Sequence, residues 1–138
     1  MSAPRKLSVA SSGVYRTPAD VSRLRARAAA SGAAWLKIDG GAAHDKPGLM
    51  TLLARALQLP PSFGANWDAL ADSLQDFSWR PAPAYVLHVA GAEALRQALG
   101  ADWGRLLEVL QATAGYWIGR GKPFVVIMDG AEELPSWT

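Results

Sequence analysis

The chain has no cysteine. That excludes a disulfide scaffold and a thiolate metal site, and it suits a reducing compartment such as the cytoplasm. Histidine is scarce: His44 falls in a turn and His88 in an apolar run. Histidines in such settings are ordinarily structural, so neither is read as catalytic. No apolar stretch approaches the roughly 18 residues of a membrane span. The basic start MSAPRKLSVASSG lacks the apolar core of a secretory signal, so none is expected. No serine sits in a Gly-x-Ser-x-Gly elbow, and no glycine-rich loop runs into Lys-Ser or Lys-Thr. These absences point to a non-enzyme with no cofactor, no metal and no small-molecule substrate.

What is present is ordinary globular material. The 138 residues suffice for one core, and a composition half apolar with 19% charged residues places the chain among folded proteins. The net charge of +2 hides an asymmetry. Residues 1–30 carry six basic groups (Arg5, Lys6, Arg16, Arg23, Arg25, Arg27) against the single acid Asp20. The remainder carries eight basic groups against eleven acids. That acidic remainder favours a cationic partner over nucleic acid or a membrane.

Along the chain, Gly13-Val14-Tyr15-Arg16-Thr17 reads as a possible edge strand. Thr17-Pro18-Ala19-Asp20 reads as a helix start, with Thr17 as cap and Pro18 in the first turn. That helix runs to about Ala30, where Gly32 ends it. Its arginines lie on both sides of the apolar face, not in one stripe, and lay their stems over core edges. Residues 33–38 form an apolar strand ended by Asp39-Gly40-Gly41. Asp45 caps a helix that Pro60-Pro61 terminates. Residues 84–89 and 124–128 read as buried strands. Between them lie a helix over Ala92–Leu99 and a longer one capped by Asp102. Glu132 to Thr138 reads as a tail with an exposed Trp137. Strands separated by helices imply an α/β fold with a parallel sheet and right-handed crossovers.

The most informative stretch is Pro60 to Trp79, PPSFGANWDALADSLQDFSW. With Asn66 as N-cap, a helix runs from Trp67 to about Phe77. At about 100° per residue, Leu70, Ala71, Leu74 and Phe77 share one apolar face. Trp67 lies near its centre and is expected in the core. Asp68, Asp72 and Asp76 fall on the opposite side. Like charges four apart cost a helix about 0.2–0.5 kcal/mol per pair. Such a stripe is ordinarily a solvated face; it is also a surface suited to a basic partner. Asp68 and Asp72 could serve as an acid–base pair or hold a magnesium ion, but no further carboxylate, base or nucleophile clusters with them in sequence. Trp79, past the helix end, is a candidate exposed aromatic anchor.

The run Phe63-Gly64-x-Asn66-Trp67-Asp68-Ala69-Leu70-x-Asp72-x-Leu74 resembles the signature of the barstar family, intracellular inhibitors of small bacterial ribonucleases. The motif is long and uncommon, and the resemblance extends over about residues 33–129. It implies a small three-stranded parallel sheet with helices packed on it, here with an N-terminal strand-helix addition. The expected division is an extension over 1–32, a barstar-like domain over 33–130 and a tail over 131–138. It also implies a cytoplasmic, antitoxin-like inhibitor whose acidic helix blocks the basic active site of a small ribonuclease. The alternative is a binding module on the same fold with another cationic protein as partner. By position, Asp68 and Asp72 match the family's acidic contacts, Gly64 and Asn66 its loop contacts, and Phe77 an aromatic at the helix end. With Ala71, Asp76 and Trp79 they make up the expected contact set. The chain departs from the pattern at Ser62 and Ala71, where the family has aromatics, and at Ser73, where it has a buried cysteine. A second family acid on the long helix would fall near Ala112 or Tyr116, neither of them acidic. Asp76 stands where the family has a small residue.

Overall fold

The computed structural model describes residues 6–137. The elements follow in the order β1 Gly13–Arg16, α1 Val21–Ala30, β2 Ala34–Asp39, α2 Lys46–Ala56, α3 Trp67–Leu74, β3 Tyr85–Ala90, α4 Ala92–Leu99, α5 Asp102–Gly119 and β4 Phe124–Met128. The sheet is parallel throughout, ordered β1-β4-β3-β2. It has four strands, not the expected three. The fourth is β1, which pairs Gly13 to Arg16 with Val125 to Met128.

Alternation along the strands sorts side chains to two faces. Leu36, Ile38, Tyr85, Leu87, Val89, Phe124, Val126 and Met128 face the main core, where α2, α3, α4 and α5 pack. Tyr15, Val125 and Ile127 face the other side, covered by Leu24 of α1 and by Trp137. Every residue of β4 is buried, which explains why its sequence shows no alternation of polarity.

Four local expectations are corrected. Asp102 does not cap α5 but is its first residue, with Ala101 before it and no side-chain cap bond. Helix α1 begins at Val21 and not at Thr17, because the Thr17 N–H is taken by the Met128 carbonyl at 3.1 Å and prolongs the β1 pairing. Asp20 caps the helix instead, accepting from the Ser22 N–H. Trp137 is buried, 5% exposed, and meets the Tyr15 ring edge-on at 5.0 Å. The tail turns back beside β1, where Arg16 N–H donates to the Pro135 carbonyl at 2.8 Å. Helix α3 ends at Leu74, three residues early, because Phe77 takes a left-handed φ of 53°. That conformation costs a non-glycine residue about 1–2 kcal/mol. It swings the Phe77 ring into the core against Tyr85, 4.3 Å between centroids, where burial offsets the strain.

Candidate functional site

The acidic face is built on α3 and the loop before it. Asn66 is extended, and its Oδ1 accepts the Ala69 N–H at 2.8 Å, so the cap read from the sequence is made. Its Nδ2 reaches back to the Gly64 carbonyl at 3.4 Å. Between them Ala65 sits at a φ of 54°, which turns the chain sharply into the helix. Gly64 is closed in: a Cβ there would lie 3.3 Å from that of Ala69.

Leu70 and Leu74 are buried and fix the helix on the core. Asp68, Asp72 and Asp76 are all exposed. Among the described residues no cation comes within 4 Å of any of the three. Asp68 lies in the first turn, where the helix dipole favours a negative charge. Asp76 lies past the unfavourable end; its Oδ2 accepts the Ser78 hydroxyl at 3.0 Å. A helix advances about 6 Å per four residues, which sets Asp68 and Asp72 one turn apart on α3, while Asp76 lies beyond the helix end.

The aromatics differ from expectation. Phe77, expected at the contact surface, is 1% exposed and belongs to the core. Trp79 is half-buried: its ring stacks on Phe77 at 5.2 Å and its Nε1 donates to the Leu57 carbonyl at 3.1 Å. It anchors the helix exit to the end of α2, and only part of its ring faces solvent. Trp67, expected in the core, is half-buried at its edge, with the Lys46 ammonium 5.8 Å from the ring centre. Ala71 is half-buried beside the stripe.

Helix α5 packs beside α3. Trp117 Nε1 donates to the Leu74 carbonyl at 2.9 Å, and this bond holds the end of α3. The sequence signals that a buried tryptophan N–H needs a partner, but not which carbonyl supplies it. Gln111, Ala112 and Gly115 on α5 are exposed and uncharged.

His88 Nε2 and Asp129 Oδ1 lie at hydrogen-bond distance, 2.9 Å, on the opposite sheet face. Among the described residues no group of three or more acidic or histidine side chains is placed to hold a metal ion. Among the described residues no helix is long and apolar enough to cross a membrane. A groove of about 700 Å³ lies between α4, α5 and the turn after β4, where Glu133 accepts from Trp103 Nε1 and Glu93 pairs with Arg96.

The site is an exposed acidic helix on a small α/β fold with a four-stranded parallel sheet. The family model Barstar (barnase inhibitor) matches residues 33–129, from the start of β2 to the end of β4. The chain belongs to the barstar family. No curated protein matches it.

Proposed function

We propose that the chain inhibits a small basic ribonuclease by seating α3 and the loop before it in the enzyme's active-site cleft. The family is one of ribonuclease inhibitors. The observation that carries the finer reading is Asp68 and Asp72 on a helix fixed by cap and core, with Asp76 just past its end, all three exposed and, among the described residues, without a cation. A site that binds RNA phosphate is lined with cations, and a rigid row of carboxylates occupies the substrate's place. Asp72, between the other two carboxylates in sequence and exposed like them, takes the central contact. Asp68, Gly64, Asn66, Ala71, Asp76 and the open part of Trp79 surround it. Opposite fields steer the encounter, and desolvated charge pairs at its centre dominate the affinity. The barnase–barstar complex is itself a standard example of both effects.

Residues 33–130 carry this function; 1–32 add a strand and helix, and 131–138 a tail. The protein acts in the cytoplasm, without catalysis of its own. A second reading keeps the acidic face and changes the partner to another cationic protein. It is favoured by the uncharged flank of α5 and by Ser62 and Ala71, which stand where the family has aromatics.

Titration of a barnase-type ribonuclease distinguishes the two. Stoichiometric loss of RNA cleavage, relieved by Asp72→Ala, supports the inhibitor. No inhibition at micromolar protein transfers the site to the second reading.

A further inference from the structure

We infer that Trp67 is a specificity-determining contact beside the acidic face, and that its indole enters the slot in which the nuclease seats a nucleobase. This rests on the inhibitor reading above.

Trp67 opens α3, directly before Asp68. The helical period places it with Leu70 and Leu74, yet it is half-buried where they are enclosed. The reason is its position in the first turn. Helix side chains tilt toward the N-terminus, which carries the ring of a first residue to the rim of the core. Part of Trp67 packs on that core, and the rest is open. Ala71, its neighbour one turn on, is too short to cover it.

The indole N–H is a second, independent observation. Other tryptophans bond theirs inside the fold: Trp79 to the Leu57 carbonyl, Trp103 to Glu133 and Trp117 to the Leu74 carbonyl. Trp35 Nε1 is buried without a partner. Trp67 Nε1 has no hydrogen bond to a described residue and, unlike that of Trp35, is not enclosed. The side chain thus offers a flat ring with one free donor. Its packed part is already ordered, so docking costs it little freedom.

The nearby charge decides what such a ring meets. The Lys46 ammonium already lies 5.8 Å from the ring centre, and among the described residues no carboxylate is within 4 Å of it. A second cation on that ring would be repelled by the first, so the ring is not a seat for the cations of the cleft. Its partner is flat, uncharged and carries an acceptor. A ribonuclease cleft holds such a surface, because every phosphate it binds is joined to a planar base, which is stacked and read along its edge. Asp68 and Asp72 stand in for phosphate, and Trp67 stands in for the base.

The test is inhibition of a barnase-type ribonuclease by the full chain and by its Trp67→Phe, Trp67→Leu and Asp72→Asn variants. Phenylalanine keeps a flat ring and removes the donor; leucine keeps an apolar filling for the core and removes both. A thermal melt checks that each variant is folded at the assay temperature. The expected result is a rise in inhibition constant of about tenfold or more for Trp67→Leu, with a smaller rise for Trp67→Phe. The loss should lie in the dissociation rate, with the association rate and its salt dependence as in the parent, because the indole carries no charge. It should vanish on a ribonuclease whose base-stacking side chain is replaced by alanine, whereas the Asp72→Asn loss should persist there. If Trp67→Leu stays within about twofold of the parent while Asp72→Asn loses more than tenfold, or if the Trp67→Leu loss is equal on both ribonucleases, the base-slot inference is overturned and the inhibitor stands. If the parent chain does not inhibit, the inhibitor reading is overturned and this inference with it.

Discussion

The indole N–H of Trp117 reaches across from α5 to the carbonyl of Leu74, the last residue of α3, at 2.9 Å. The bond is buried and spans 43 residues of sequence. Through it the longest helix sets the position of the acidic one.

Trp117→Phe keeps most of the apolar contact and removes the donor. The Leu74 carbonyl is then buried without that partner, at a cost of about 1–3 kcal/mol. A lower urea midpoint with an unchanged slope is the expected signature. An unchanged midpoint would mean that water replaces the indole.

Asn66→Ala removes the side-chain acceptor of the Ala69 N–H. Loss of an N-cap costs about 0.5–2 kcal/mol. Asn66→Asp retains the acceptor and should recover most of that in thermal unfolding. Equal melting temperatures for Asn66→Ala and the parent would show that the cap does not hold the loop.

Asp72→Ala should leave the melting temperature unchanged within error, because the side chain is exposed and unpaired. Its effect belongs to the partner. Stopped-flow association of the parent with a barnase-type ribonuclease should slow as salt rises, the mark of steering between opposite fields. A rate indifferent to salt would rule out electrostatic guidance by α3.

Burial raises the pKa of the Tyr85 phenol above its ordinary value, and the nearby Asp76 carboxylate adds to the rise while Arg80 opposes it. The folded state thus favours the protonated phenol, which donates to the Arg80 carbonyl at 2.6 Å. Its contribution to stability is complete below the unfolded value of about 10 and is lost as pH climbs through the higher folded value. Urea midpoints measured from neutral to alkaline pH should fall above about pH 10. In Tyr85→Phe that part of the alkaline loss should disappear, from a lower starting stability. A parallel decline in both proteins would assign the loss to other groups.

Most of this architecture was legible because apolar runs, proline stops and cap residues agree with one another. Asn66 caps α3 and Asp45 caps α2 as the residue types require. The exposure of Asp68 and Asp72 on one helix followed from helical period alone, while Asp76 lies past the helix end. The period put Phe77 on the apolar face, where it is buried; its expected place at the contact surface came from the resemblance, and what the period missed was the helix end at Leu74. A left-handed non-glycine residue has no signature in sequence and is stabilised only by the rings it meets. Trp137 and β1 were under-read for a related reason. Each is short and weakly patterned, and each is ordered by long-range contact with the other, as when Arg16 bonds to Pro135. Local propensity does not record such partnerships.

The first strand also decides what the molecule exposes to its own copies. β4 reads Phe-Val-Val-Ile-Met and carries no charge, proline or glycine. β1 lies along one margin of β4 and β3 along the other. Without β1, that segment would present unpaired backbone groups, and five uncharged apolar residues on such a margin invite stacking of chain upon chain. The margin that replaces it is short, four residues, and ends in Arg16. Strand β1 thus covers a margin of β4 that would otherwise be open to another chain.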